Sequence, residues 1–220
     1  EAALTVATVS DSHTAVLNKF NVVEHHLLVV THRFEEQESL LTEPDLHALW
    51  RCMGEYESLG FYNGGRAAGA SQRHKHLQTI PLPLTTGGPP LPIEPLVDQV
   101  RETGPTRVPG LAFGHRFLRL PAGLADDPGE AAAWCRERYL EMLAGLGLPP
   151  RERDGVPWQA GPYNLLLTRR WMMVVPRSRE HCGTVSINAM GFAGSLFVRD
   201  EQELEQVRET GPMEVLKAVT

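Results

Sequence analysis

The sequence predicts a mixed fold of helices and strands in one domain that spans residues 1–220. Three observations support this prediction: short runs of β-branched and aliphatic residues, longer segments with apolar residues at helical spacing, and connections rich in glycine and proline. Hydrophobic residues make up 42% of the chain, which is enough to fill one compact core.

In the first part of the chain, residues 14–31 predict two strands that are joined near residues 23–26. Thr42 predicts the N-cap of a helix that ends near Gly60. Residues 85–129 are rich in proline and glycine and predict a long irregular excursion over the body of the fold.

In the second part, Asp127 predicts the start of a helix that closes at two glycines, 145 and 147. Two strands are predicted at 163–168 and 171–176. Residues 183–199 predict a glycine-punctuated segment that ends in a strand, and Asp200 with Glu203 predicts the capping box of the last helix.

Charge and composition exclude several classes of function. The net charge is −6 and the pI is about 5.9, which argues against a broad surface for nucleic acid or anionic membranes. The apolar runs are far shorter than the roughly 20 residues of a membrane span, and the sequence shows no targeting segment. The three cysteines are odd in number and widely spaced, which predicts a reducing, cytoplasmic location.

The strongest chemical pattern combines a loop of small residues, GASQ at 69–72, with an H-x-H-x-Q pattern at 74–78. In an extended backbone His74, His76 and Gln78 would line one wall, because alternate residues share a face. The glycines and Ser71 can offer N–H groups and a hydroxyl to phosphate oxygens. A neutral imidazole is a competent nucleophile at neutral pH, so the pattern favours phosphate chemistry.

Two other interpretations of the histidine pair stay open on the pattern alone. It can belong to an ordinary strand, or it can bind a metal, since H-x-H is a frequent ligand spacing. A metal site needs further ligands, yet the next acid after His76 is Glu94, and Gln78 is a poor zinc ligand. We therefore predict no metal ligands.

Four segments resemble a known family: LNKFNVVEHHLLVVT, FYNGGRAAGASQRHKHLQ, YNLLLTRRWMMVVPR and SINAMGFAGSLFV. The family is that of the ATP adenylyltransferases, also called diadenosine tetraphosphate phosphorylases, a branch of the histidine triad superfamily. The resemblance implies an α+β fold, histidine-triad-like, with an antiparallel sheet flanked by helices. It also implies cleavage of diadenosine tetraphosphate by phosphate to give ATP and ADP.

The resemblance assigns the catalytic roles. His76 would attack the α-phosphorus of one adenylate, ATP would leave, and phosphate would displace AMP from the histidine to make ADP. His74 would support His76. Gln78 stands where hydrolytic relatives carry a third histidine; because an amide cannot transfer a proton to or from water, transfer to phosphate is favoured over hydrolysis.

The resemblance also assigns residues that bind the substrate. Lys19 would neutralise charge that develops as the leaving oxygen departs, Arg199 stands where we expect a lysine, and core packing competes with adenine contact at Met190. The full set of predicted binding residues is Asn18, Lys19, Asn63, Gly69, Ala70, Ser71, Gln72, Gln78, Asn188, Ala189, Met190, Ser195 and Arg199.

The expected partners are diadenosine tetraphosphate, ATP, ADP and phosphate. We expect no protein-bound cofactor, although Mg²⁺ can accompany the nucleotide. Family members usually carry some tens of residues before the LNKF segment, so we expect this N-terminal family segment to be absent. Alternatives are an adenylylsulfate donor, a catalytically weak module that binds dinucleoside polyphosphates, and a metal-dependent hydrolase.

The other histidines are interpreted as structural. His25 and His26 are predicted to form a turn between strands, while His13 and His115 are predicted to be isolated and exposed to solvent.

Overall fold

A computed structural model describes residues 4–21 and 23–220. Its main feature is an eight-stranded sheet in which every neighbouring pair of strands is antiparallel. The strands, numbered along the chain, are β1 (Thr5–Ser10), β2 (His13–Leu17), β3 (Leu27–Thr31), β4 (Ser58–Gly64), β5 (His76–Pro81), β6 (Arg116–Arg119), β7 (Arg151–Arg153), β8 (Val156–Trp158), β9 (Tyr163–Leu167), β10 (Trp171–Pro176), β11 (His181–Cys182) and β12 (Val185–Ser186).

The spatial order in the large sheet is β1-β2-β3-β5-β4-β9-β10-β6, and two short hairpins, β7-β8 and β11-β12, lie outside it. The first three α-helices lie between strands of the large sheet, and the last three follow β10. They are α1 (Glu43–Glu55), α2 (Glu94–Val97), α3 (Pro128–Gly145), α4 (Ala189–Phe192), α5 (Glu201–Thr210) and α6 (Pro212–Ala218).

Both faces of the sheet are covered, and the alternation of side chains in β10 shows how. Met172 and Val174 lie in one core with α1 and α3, whereas Trp171 and Met173 lie in a second core with α4, α6 and residues 82–113. Alternate residues of a strand point to opposite faces, so each strand feeds both cores. We refer to these as the α1/α3 face and the α4/α6 face.

The predicted start of α1 is confirmed. The Thr42 hydroxyl accepts a hydrogen bond from the Asp45 N–H at 3.3 Å, and the Asp45 carboxylate accepts one from the Thr42 N–H at 2.7 Å. The predicted end near Gly60 is wrong, because α1 ends at Glu55 and Gly60 lies inside β4. Helix α1 packs so closely on β4 that a Cβ at Gly60 would lie 2.6 Å from Met53 Sδ.

In the second half, the start of α3 at Asp127 and the pair β9-β10 are confirmed. The excursion at 85–129 is partly wrong, because it contains β6, which pairs with β10 and buries Phe117. The strand predicted at the end of 183–199 is also wrong. Gly194, with φ of 97°, turns the chain back after α4, and the Ser195 N–H donates to the Met190 carbonyl instead of to a neighbouring strand.

Asp200 caps α5 as predicted and accepts from the Glu203 N–H at 2.9 Å. The return contact goes elsewhere, since the Glu203 carboxylate accepts from the Arg199 N–H at 2.8 Å. Over the described ranges, no helix combines the length and the apolar character that crossing a membrane requires.

Candidate active site

Three of the predicted site residues meet on the α4/α6 face. His76 and Gln78 lie on β5, and Asn63 lies on the neighbouring β4. Phe61 pairs with Gln78 across these strands, so Asn63 comes level with His76 two residues further along. All three are nearly buried, with exposed fractions of 7% for His76, 7% for Gln78 and 3% for Asn63.

One hydrogen bond fixes the tautomer of His76. Its Nδ1 donates to the main-chain carbonyl oxygen of His74 at 2.8 Å. Because a carbonyl can only accept, Nδ1 holds the proton and Nε2 carries the lone pair. Burial lowers the pKa of His76, which keeps the ring neutral and nucleophilic.

Gln37 fixes the main chain at His76 and at Asn63. Its Oε1 accepts from the His76 N–H at 2.9 Å, and its Nε2 donates to the carbonyls of His76 and Asn63 at 3.1 and 3.0 Å. Gln37 is not predicted from the sequence, because a glutamine in a polar loop has no spacing that relates it to strands that pair elsewhere in the chain.

His74 supports His76 through its carbonyl rather than its ring. It precedes β5 in a single antiparallel bridge with Glu36. Its Nε2 lies 3.0 Å from Thr31 Oγ1 and 3.1 Å from the Arg33 carbonyl oxygen. The prediction that residues 74, 76 and 78 line one wall therefore holds for His76 and Gln78 only, because the regular strand begins at His76 and His74 lies before it.

A second chain of hydrogen bonds orients Gln78. Asn18 Nδ2 donates to His26 Nδ1 at 3.2 Å, so His26 carries its proton on Nε2, which donates to Gln78 Oε1 at 2.8 Å. This leaves the Gln78 Nε2 as a donor for a ligand. The prediction that His26 only forms a turn is wrong; its position two residues before Leu28, which pairs with Gln78, places it beside the site.

The side-chain oxygen of Asn63 is also engaged. It accepts from Asn164 Nδ2 at 2.8 Å and from the Ala189 N–H at 3.1 Å. Asn164 lies directly opposite Asn63 in the β4-β9 ladder. Asn164 is not among the predicted site residues. The dipeptide Tyr-Asn occurs in both β4 and β9, and its two asparagines are the residues that pair.

The small-residue loop borders open space, as a phosphate-binding loop requires. Gly69 to Gln72 line a cavity of about 740 Å³ together with Arg66 and Trp158. Glu36, Glu38 and Glu180 also line this cavity, whereas His76, Gln78 and Asn63 are not among its lining residues. Gly69 has φ of 93°, and a Cβ on it would lie 2.9 Å from Asn188 Cβ. Glycine therefore lets the loop close onto the segment before α4.

The remaining predicted binding residues lie apart or behind this group, and their roles stay predictions. Lys19 is exposed, with Nζ 5.5 Å from the centre of the Phe20 ring, and Arg199 Nε donates to Glu203 at 2.8 Å. Ala189 and Met190 are buried in the core of the α4/α6 face. Ser195 is half-buried in the turn after α4.

A metal site in a protein needs three or more ligating side chains close together. Over residues 4–21 and 23–220, no group of three or more His, Cys, Asp or Glu side chains could hold a metal ion.

The antiparallel sheet with helices on both faces and His76 buried on β5 agrees with the histidine-triad-like fold that the resemblance implies. Residues 1–99 match the Ap4A phosphorylase N-terminal domain, and residues 109–220 match the ATP adenylyltransferase C-terminal domain. Because the second match alone covers more than half of the chain, the chain belongs to the ATP adenylyltransferase family. The predicted resemblance is confirmed.

Two curated relatives come from Saccharomyces cerevisiae. The chain is 32% identical over 222 residues to diadenosine 5',5'''-P1,P4-tetraphosphate phosphorylase 2, a match that covers 88% of this chain and 64% of the relative. It is 27% identical over 221 residues to protein APA1, covering 90% of this chain and 65% of that protein. The chain thus spans just under two thirds of the length of these relatives.

Solved structures agree with the fold. The crystal structure of yeast Ap4A phosphorylase Apa2 matches with a TM-score of 0.79 and 28% identity, over 98% of this chain and 75% of that chain. The same enzyme in complex with Ap4A matches with a TM-score of 0.76 and 27% identity, over 98% and 77%. The predicted antiparallel α+β fold is confirmed.

Proposed function

We propose that this chain is a nucleotidyltransferase that cleaves diadenosine tetraphosphate with phosphate, giving ATP and ADP through an AMP adduct on His76. One observation carries the proposal: the buried, neutral imidazole of His76 keeps Nε2 unprotonated, and Gln78 and Asn63 on the same face of the sheet keep their amide nitrogens as donors. The names of the yeast relatives support the substrate, since one is a diadenosine tetraphosphate phosphorylase and Apa2 is described in complex with Ap4A.

In the first step, the lone pair of His76 Nε2 attacks the α-phosphorus of one adenylate. A phosphorus–nitrogen bond forms, the bond to the bridging oxygen breaks, and ATP leaves with that electron pair. The ring becomes cationic, and the His74 carbonyl that accepts from Nδ1 stabilises this charge.

In the second step, an oxygen of inorganic phosphate attacks the same phosphorus. The phosphorus–nitrogen bond breaks, its electron pair returns to Nε2, and ADP is released. Gln78 and Asn63 can donate to the adenylyl oxygens in both steps. Neither amide can deprotonate water, so the site favours an acceptor that brings its own anionic oxygen.

The proposed partners are therefore diadenosine tetraphosphate, ATP, ADP and phosphate, with Mg²⁺ arriving on the nucleotide. The absence of a protein-bound cofactor and a cytoplasmic location stay predictions. Binding of nucleic acid or membranes is not part of the proposal.

The proposal is tested with His76→Ala, and His47→Ala serves as its matched control because His47 lies on α1, on the opposite face of the sheet. With labelled diadenosine tetraphosphate and no phosphate, the unmodified chain should carry acid-labile label and release ATP. His76→Ala should lose both the label and the release of ATP and ADP, whereas His47→Ala should retain them.

Three results would contradict this assignment. Substantial turnover by His76→Ala would exclude the covalent route. Tight binding without turnover by the unmodified chain would favour a binding module, and activity lost to a chelator and regained with zinc would favour a metal-dependent hydrolase. The rates of phosphate-dependent cleavage of adenylylsulfate and of diadenosine tetraphosphate, measured at the same concentrations, show which donor is preferred.

A further inference from the structure

Arg177 is a buried cation behind the site. Only 5% of its surface is exposed, and burial lowers its pKa to about 10, so it stays charged at neutral pH. Its guanidinium donates only to neutral oxygen acceptors: Asn164 Oδ1 at 2.6 Å and the carbonyls of Ala68, Arg179, Glu180, Ile187 and Val219 at 2.8 to 3.3 Å.

Asn164 is the one acceptor in this set whose orientation the guanidinium can decide. An arginine only donates, so the oxygen of the Asn164 amide must face Arg177. Its Nδ2 then faces the other way and donates to the Ala68 carbonyl at 2.9 Å and to Asn63 Oδ1 at 2.8 Å. Both ends of the Asn164 side chain are thereby fixed by groups that cannot exchange roles.

The orientation of the Asn63 amide is fixed in the same way. Its oxygen accepts from Asn164 Nδ2 and from the Ala189 N–H, which can only donate. Its Nδ2 has no hydrogen-bond partner among residues 4–21 and 23–220. Asn63 therefore presents N–H donors, and not its carbonyl oxygen, beside His76.

We infer that Arg177 is a positioning residue that acts through Asn164 to hold the Asn63 amide with its nitrogen toward the ligand, so that the site selects a phosphoryl oxygen. The inference rests on the proposed function. Phosphoryl oxygens only accept hydrogen bonds, so a reversed amide would place its oxygen against an anion. A guanidinium fixed by five main-chain carbonyls cannot move to permit that reversal.

The test is Asn164→Asp, which keeps the shape and gives Arg177 an anionic partner. Its carboxylate has no donor, so Asn63 loses the bond from Asn164, and only the Ala189 N–H then opposes a turn that would bring Asn63 Nδ2 to the carboxylate and offer the Asn63 oxygen to the ligand. We expect the affinity for AMP, measured by calorimetry, to fall at least about tenfold while the affinity for adenosine is unchanged. Gln99→Glu makes the same amide-to-acid change at an exposed position and should alter neither.

A second pair of variants covers the case in which Asn164→Asp fails to fold. Lysine at position 177 can only donate, whereas glutamine can present an oxygen and leave Asn164 free to turn. At equal folded fraction, Arg177→Lys should retain a higher ratio of AMP to adenosine affinity than Arg177→Gln. A purely structural role for Arg177 predicts the same ratio in both.

The outcomes separate the inference from the function on which it rests. If the unmodified chain binds AMP and folded Asn164→Asp binds it equally well, the inference is overturned and the proposed function stands. If the unmodified chain binds neither AMP nor diadenosine tetraphosphate, the proposed function is overturned, and the inference with it.

Discussion

A single main-chain oxygen decides what the His76 ring can do. The His74 carbonyl fixes the proton on Nδ1, and burial disfavours a second proton on Nε2. The proposed attack by Nε2 thus needs no neighbouring general base, because a neutral imidazole needs no deprotonation before it attacks.

The lowered pKa of His76 predicts how the rate of the first step falls at acidic pH. The reactive form is the neutral ring, so the rate should fall to half of its plateau value only below pH 6.5, the ordinary pKa of histidine. Single-turnover release of ATP from diadenosine tetraphosphate, without phosphate, isolates this step. A half-maximal rate at or above pH 6.5 would contradict the prediction.

Other single residues show why the sequence could predict only part of the site. His76 and Gln78 are found by their spacing, because alternate residues of a strand must share a face. His26 and Asn164 reach the same place from strands elsewhere in the chain, so their contacts depend on which strands become neighbours. His26 is predicted to form a turn because the residues around it carry no information on which strands become neighbours.

At the scale of elements, β5 joins the two faces of the sheet. His76 and Gln78 face the α4/α6 side, while Lys75 between His74 and His76 is fully buried on the α1/α3 side. Its Nζ donates to Asp45 Oδ2 at 3.0 Å, to Glu35 Oε2 at 2.9 Å and to the Leu40 carbonyl at 3.0 Å. The start of the catalytic strand is thus fixed to the first turn of α1.

Removing this cation should destabilise the fold strongly. Lys75→Met leaves the buried Asp45 with only His13 and Thr42 as side-chain or main-chain donors, and we expect a loss of about 3–5 kcal/mol in the free energy of unfolding, measured in urea. Lys217→Met, which breaks an exposed pair with Glu214 at 2.9 Å, should cost at most about 1 kcal/mol. Equal losses for the two variants would show that the buried pair does not hold the strand.

The contact between α1 and β4 gives a matched pair of glycine substitutions. Gly60→Ala would bring a Cβ to 2.6 Å from Met53 Sδ and 3.2 Å from Leu49, and should cost about 1–3 kcal/mol. Gly54→Ala meets nothing within 4 Å in the last turn of α1 and should stabilise by about 0.5–1 kcal/mol. Thermal unfolding of both variants tests whether the melting temperature falls for Gly60→Ala and rises for Gly54→Ala.

At the scale of the whole molecule, buried histidines couple folding to pH. Burial lowers the pKa of His26, His76 and His115 in the folded chain. His115, predicted to be exposed, is only 1% exposed, and its Nε2 accepts from the Val108 N–H at 2.8 Å. A proton on Nε2 would break this bond.

Stability should therefore fall as the pH drops below about 6.5. Below this pH the histidines of the unfolded chain bind protons, whereas the same histidines in the folded chain stay neutral. The free energy of unfolding therefore rises with pH as the pH increases toward 6.5. Urea unfolding at pH 7.5, 6.5 and 5.5 measures the slope, and His115→Gln should make it shallower. A slope of zero between pH 6.5 and 5.5 would contradict the prediction.

The sequence by itself determined the local features: the N-caps Thr42 and Asp127, the strands β9 and β10, the loop at 69–72, and the spacing of His76 and Gln78. These depend on neighbouring residues and on the periods of helix and strand, which the printed order contains. Only the tertiary structure decided that β6 completes the sheet, that Gln37 and His74 fix the nucleophile, and that His26 and Arg177 orient the amides. These contacts join residues far apart in the chain, and hydrogen-bond direction at a site is set by partners that only the fold brings within reach.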